Sequence, residues 1–239
     1  MAVFARAPVA GQAKTRLIPR LGSHAAANLQ SALISDTLRK VAGLKTRVQP
    51  YLFLAGSSII FRRRYWAPPG IGEFRIIHQE GKDLGERLEN AFRRLLRLHP
   101  RCVIIGTDSP LIPSRTLRQA LGELQACESV LGPCPDGGYY LIALRRTVSA
   151  AMLRGIFRGV RWSTAFAFRD TLRNLLRRGL SCSVLAECAD VDMPRDVQRL
   201  KKKLSRNRVA RRLAPATWRF LKGGSRKGAR YARVAKKQK

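Results

Sequence analysis

Cys102-Val103-Ile104-Ile105-Gly106-Thr107-Asp108-Ser109-Pro110 is the stretch that decides the fold class. Its unbroken apolar start reads as a strand buried on both faces, as in a parallel sheet, because a half-solvated strand would alternate apolar and polar residues. The run stops at Gly106 and gives way to a proline-containing turn, which sets Asp108 at the carboxyl tip of the strand. In an open α/β sheet that edge is where ligands bind. An aspartate there either caps the turn that follows or holds Mg²⁺ or Mn²⁺ through its carboxylate.

Outward from this strand, apolar runs and amphipathic stretches alternate as βα units do. Val3–Ala5, Tyr51–Ala55, Phe74–His78, Ser129–Gly132, Tyr139–Leu144 and Ser183–Ala186 read as further strands. Helices are expected over 23–41, with Leu29 and Leu33 on one face and Ile34, Leu38 and Val41 beside it, and over 83–98, 114–126, 163–178 and 194–204. The basic stretch 62–72, with its Pro and Gly, reads as an exposed loop. The alternation predicts an α/β fold: a three-layer sandwich, its sheet mostly parallel with helices on both faces.

The 239 residues suit one such domain with an extension. The extension announces itself by charge. The chain carries 47 Lys+Arg against 15 Asp+Glu, a formal +32, and 16 of those cations fall in residues 201–239, which contain no acidic residue. Pro215 and the run Gly223-Gly224-Ser225 add breaks to any long helix there. The expected division is therefore a catalytic domain over 1–204 and a mobile basic tail over 205–239. Such a tail attracts polyanions, RNA or acidic lipid among them. Five cysteines with no C-x-x-C pair argue against a disulfide framework or a zinc site and point to a reducing, cytoplasmic setting. No apolar run reaches the ~18 residues of a membrane span.

Four further segments carry chemistry. The loop Ala7-Pro8-Val9-Ala10-Gly11-Gln12-Ala13-Lys14-Thr15-Arg16-Leu17 leaves the first strand at the same edge as Asp108. Gly11 allows the backbone to approach an anion, and Lys14 and Arg16 bring positive charge for phosphates. Asp136-Gly137-Gly138 precedes a strand, either as a hairpin turn or as backbone brought close to a nucleotide. Asp190-Val191-Asp192-Met193-Pro194 ends in a helix start, where Asp192 suits an N-cap, a metal ligand or both. Gly85, in Gln79-Glu80-Gly81-Lys82-Asp83-Leu84-Gly85-Glu86-Arg87, and Trp162-Ser163-Thr164 are candidates for nucleotide and acceptor contact, beside the simpler readings of helix capping.

Taken in order, VFARAPVAGQAKTRL, QEGKDLGERL, GTDSPLI, LGPCPDGGYYLIAL, RWST and ADVDMPRDV resemble the selenodomain-associated transferase family, which is related to phospholactate guanylyltransferase and more distantly to molybdopterin guanylyltransferase. The resemblance spans residues 3–200. It implies a nucleotide-diphospho-sugar transferase sandwich of the GT-A type, with Lys14 and Arg16 as the phosphate-binding pair, Asp108 as the principal metal ligand and Asp192 as a second. It also implies a nucleotide donor with Gly11, Gly85, Asp136, Gly137 and Gly138 lining its site. Ala10 departs from the proline common in such loops, a second loop glycine is missing, and a single Asp108 stands where many glycosyltransferases carry D-x-D. That last departure favours nucleotidyl transfer to a small phosphorylated acceptor over glycosyl transfer from a nucleotide sugar. A rival of another class is an inactive scaffold that binds nucleic acid or ribosomes, suggested by Trp218, Phe220 and Tyr231 among arginines.

Overall fold

Among the described residues, seven strands form one sheet in the computed structural model. The model describes residues 1–44, 48–56, 68 and 71–223. The strands are β1 (Ala2–Arg6), β2 (Tyr51–Ala55), β3 (Arg75–His78), β4 (Arg101–Ile105), β5 (Ser129–Pro133), β6 (Tyr139–Arg145) and β7 (Cys182–Val184). Their order across the sheet is β3-β2-β1-β4-β6-β5-β7, and β6 alone among them runs antiparallel to its neighbours. The chain leaves β1 toward β2 and β3 on one side and returns to β4 on the other. That reversal opens a crevice at the carboxyl ends of β1 and β4.

The strands between the two edges bury both faces, as the apolar runs predict, while the edge strands β3 and β7 stay partly exposed. Val3, Ala5, Leu52, Leu54, Val103 and Ile105 point to one side. They meet Ile34, Leu38 and Val41 of α2 (Ser23–Ala42) and Leu117 and Ala120 of α4 (Ser114–Glu123). Ala2, Phe4, Phe53, Cys102 and Ile104 point to the other. There they meet Phe92 and Leu95 of α3 (Leu84–Leu98), Ile156 and Phe157 of α5 (Ala150–Phe157) and Leu175 of α6 (Ala167–Leu176). Helix α5 lies outside the helices expected from the sequence, and α6 begins later than expected because Ser163 adopts a left-handed backbone, φ 61°, which no helix continues through. A short helix, α1 (Ile18–Leu21), precedes α2. The expected loop over 62–72 lies largely outside the described residues.

The boundary at 204 is corrected. Helix α7 (Pro194–Arg206) is followed by α8 (Arg208–Leu213) and α9 (Pro215–Gly223), and all three dock on the outer face of α2. Leu29 and Leu33 of α2 pack with Val197, Leu200, Leu204, Ala210 and Ala214 in a third core, to which Trp218, Phe220 and Leu221 add partly buried surface. Asp36, itself buried, accepts the backbone N–H groups of Ala216 and Thr217, each at 2.9 Å, and so caps the first turn of α9. Pro215 opens that helix instead of ending one, since a proline is tolerated in the first turn. The remaining part of the expected tail, 224–239, lies outside the described residues.

Candidate functional site

Three loops meet at the crevice, and a backbone bond ties two of them. The N–H of Val191 donates to the carbonyl of Asp108 at 2.8 Å, which fixes the Asp190–Met193 segment against the turn after β4. Lys40 of α2, buried beneath that turn, donates its ammonium to the Pro110 carbonyl. Burial pushes the Lys40 pKa down to about 8.

Into this junction comes Lys14. It has left-handed backbone angles, φ 49° and ψ 47°, uncommon for a residue with a side chain. Its ammonium stands 2.7 Å from Asp108 Oδ1, 2.7 Å from the Val191 carbonyl oxygen and 3.9 Å from Asp192 Oδ1. The Lys14 side chain is only 4% exposed, whereas Asp108 and Asp192 are 48% and 34% exposed. Arg16, more than half exposed, pairs with the other oxygen of Asp192. The sequence reading takes Lys14 and Arg16 as the phosphate-binding pair. In the free protein Lys14 is turned inward against two carboxylates, while Arg16 stands at the surface beside them.

Asp190 enlarges the cluster. It is half-buried, and burial first, then Asp136, Asp108 and Asp192, raise its pKa to about 6. Asp108, Asp136 and Asp192 thus gather around Asp190 at one edge of the sheet in an acid-poor chain. The signal for Asp190 in the sequence is the spacing Asp190-Val191-Asp192, which by itself assigns it no role.

The donor set suits a hard divalent ion. Asp108 and Asp192 both face one cationic centre and both keep an exposed side, as an ion of this kind requires when phosphate and water complete its shell. Among the described residues no group of three His, Cys, Asp or Glu side chains could hold a metal ion by itself.

The glycines divide by what surrounds them. Gly11 has φ +82°, and a Cβ there would meet nothing within 4 Å, which leaves its backbone open to a ligand. Gly137 has φ +85°, and a Cβ there would lie 2.1 Å from the Ala165 carbonyl oxygen. Its own carbonyl accepts the N–H of Phe168 at 2.8 Å, so the hairpin between β5 and β6 docks on the loop before α6. Asp136 Oδ1 accepts the Gly138 N–H at 2.9 Å within that turn. Gly85 lies under Trp162, with a Cβ position 2.9 Å from the indole Nε1. Its lack of a side chain serves packing against that ring. The loop carrying Trp162 is held by Arg161, whose Nε and Nη2 reach the fully buried Asp170 carboxylate at 2.8 and 2.9 Å. Those hydrogen bonds hold the Asp170 carboxyl well below the usual carboxylate range.

The fold is that of nucleotide-diphospho-sugar transferases. The chain is similar, at 28% identity and a TM-score of 0.82 over 93% of both chains, to a protein of Desulfovibrio desulfuricans G20 provisionally named a nucleotide-diphospho-sugar transferase. It shares its fold with 4-diphosphocytidyl-2C-methyl-D-erythritol synthase of Anaerococcus prevotii DSM 20548, at 10% identity and a TM-score of 0.57, over 85% of this chain and 95% of that one. It shares it also with CMP:2-keto-3-deoxy-manno-octonic acid synthetase, solved in complex with CTP, at 11% identity and a TM-score of 0.53, over 86% and 97%. No curated protein matches the sequence. Among the described residues no helix is long and apolar enough to cross a membrane. A family model covers residues 37–164, 128 of the 239, from α2 through the Trp162 loop and including Asp108 and Asp136. The chain therefore belongs to the bacterial family described as uncharacterized proteins conserved in bacteria (DUF2064).

Proposed function

We propose that this protein is a cytoplasmic nucleotidyltransferase that moves a nucleotidyl group from a nucleoside triphosphate to a small phosphorylated acceptor. Within its family, the order of its motifs aligns it with the selenodomain-associated transferases. The observation that carries the reading is the Lys14–Asp108–Asp192 constellation at the crevice between β1 and β4. A fold shared with two cytidylyl-transferring enzymes, one of them bound to CTP, supports a nucleotide donor.

An acceptor phosphate oxygen attacks the α-phosphorus in line; the new P–O bond forms as the bond to the β-phosphate bridge breaks, and pyrophosphate leaves. Asp108 and Asp192 would hold Mg²⁺ or Mn²⁺, which when bound offsets charge on the phosphates. Lys14 fixes both carboxylates toward the same point and, together with Arg16, offsets their charge in the free protein. Arg16, at the surface beside Asp192, meets the negative charge that gathers on the leaving pyrophosphate. Gly11 admits the phosphates close to the backbone, and the Asp136–Gly138 hairpin with the Trp162 loop walls the nucleotide side. Catalysis of this kind is positioning and electrostatics, so no general base is required.

Glycosyl transfer from a nucleotide sugar is the second reading, favoured by the name of the Desulfovibrio relative. One experiment separates the two. Purified protein with Mg²⁺ is offered a panel of nucleoside triphosphates and nucleotide sugars with phosphorylated acceptors. Pyrophosphate release supports nucleotidyl transfer, nucleoside diphosphate release supports glycosyl transfer, and no turnover of any donor would leave only a binding scaffold.

A further inference from the structure

Between α7 and α9 lies a groove of about 420 Å³ lined by Gln198, Lys201, Lys202, Ser205, Trp218 and Lys222. It is separate from the carboxylate crevice, which sits at the amino end of α7, and its charge is of one sign. From Arg195 to Lys222 the chain carries eleven Lys and Arg against the single acidic Asp196, and seven more cations follow Gly223 in sequence. Trp218 is the one aromatic residue of the lining. It is half-buried, packed on the third core, with the Arg211 guanidinium carbon 5.7 Å from its ring centroid.

We propose that this groove binds single-stranded nucleic acid, its lysines meeting phosphates and the Trp218 indole stacking with a base. An aromatic ring anchored in a core and ringed by cations is the combination that holds single strands without reading sequence. A ring held rigid loses little freedom when a base stacks on it. A lipid surface would instead want large apolar side chains presented with the charge. Among the described residues of α7, α8 and α9, Val209 is the sole large hydrophobic that stands exposed.

The test uses the full chain and a fluorescein-labelled oligouridylate of about twelve nucleotides, within the ~4–16 nucleotides common for such sites. Inorganic polyphosphate of similar charge serves as the base-free competitor, and phosphatidylserine vesicles as the lipid probe. Trp218→Ala is expected to weaken oligouridylate binding about tenfold and to leave polyphosphate binding within about twofold. Trp218→Leu, which keeps an apolar anchor but no ring, should do the same if the alanine variant folds poorly. Replacing Lys201, Lys202 and Lys222 together by alanine should weaken both ligands and reduce the slope of log K against log salt by about two. Unchanged oligouridylate affinity in folded Trp218→Leu would overturn the proposal, as would equal losses for oligouridylate and polyphosphate. Vesicle binding that depends on these side chains while oligouridylate binding does not would overturn it in favour of a membrane.

Discussion

The ammonium of Lys14 lies 2.7 Å from Asp108 Oδ1, and the lysine is nearly buried while the aspartate is half exposed. The exposed partner can exchange one cation for another; the buried one cannot leave without disturbing the junction. The two positions should therefore respond differently to substitution. Asp108→Asn keeps the shape and loses the charge, so the fold should melt within a few degrees of the parent while pyrophosphate release falls by at least about a hundredfold. Lys14→Met should lower stability by about 1–3 kcal/mol, above a surface pair and below a sealed one, because the stranded carboxylates can still hydrate. Denaturant unfolding checks the second, and a pyrophosphate assay the first. An Asp108→Asn protein that turns over normally would remove Asp108 from the site.

The end of the folded body gives a second prediction. A chain cut after Ser205 loses Ala210, Ala214 and Trp218 from the third core and uncovers Leu29 and Leu33. It is expected to aggregate or to melt well below the parent. A chain ending at Gly223 keeps every contact just described and should melt with the parent. Asp36→Ala, which removes both acceptors from the first turn of α9, should cost about 2 kcal/mol. Differential scanning calorimetry of the three proteins reads all of this, and equal melting of the Ser205 truncation would show that α8 and α9 add nothing to the body.

Much of this architecture is legible in the sequence, and the part that is not has a physical cause. Buried parallel strands are short apolar runs between loops, so Cys102–Ile105 and Tyr51–Ala55 stand out, and the motif loops follow from where such strands end. The basic extension misleads because charge density masks a periodic stripe: Val197, Leu200, Leu204, Ala210 and Ala214 keep helical spacing beneath eleven cations. Its partner stripe, Leu29 and Leu33, is visible beside Ile34 and Leu38, but one helix with two apolar faces is easily assigned to one core. The inward turn of Lys14 is beyond sequence reading, since its partners Val191 and Asp192 lie more than 170 residues away. From spacing alone, a cation beside a glycine looks the same whether it faces phosphate or protein.

Lys40 predicts a pH dependence. Its pKa lies near 8 in the folded chain, chiefly through burial, against 10.5 for an unburied lysine. Between those values the unfolded chain holds a proton that the folded one has released, so stability must rise with pH across that window. Lys40→Met has no such proton. The stability of the parent minus that of Lys40→Met should therefore grow from pH 8 to pH 10.5 and flatten beyond. Urea unfolding of both proteins across that range measures it, and a difference that shrinks with pH would contradict the buried position of Lys40 under Pro110.

Three glycines at the crevice share a sequence-level rationale but should differ sharply on substitution. At Gly11 a Cβ meets nothing within 4 Å, so Gly11→Ala should cost only the backbone strain of φ +82°, about 1 kcal/mol. At Gly138 the Cβ would approach Asp136 Oδ1 at 3.1 Å, a side-chain atom that can give by a few tenths of an ångström while still accepting the Gly138 N–H, and the effect should be small. At Gly137 the Cβ would lie 2.1 Å from the Ala165 carbonyl oxygen and 2.6 Å from its Cα, backbone that cannot yield without parting the hairpin from the Trp162 loop. Gly137→Ala combines that clash with left-handed strain at φ +85° and should cost about 3 kcal/mol or more. Because Phe168 donates to the Gly137 carbonyl, the same change should speed amide exchange at the start of α6. Thermal melts of the three variants with hydrogen exchange at Phe168 test the ranking. If Gly137→Ala melts with the parent, the hairpin and the Trp162 loop do not meet there, and the nucleotide wall assigned to them is lost.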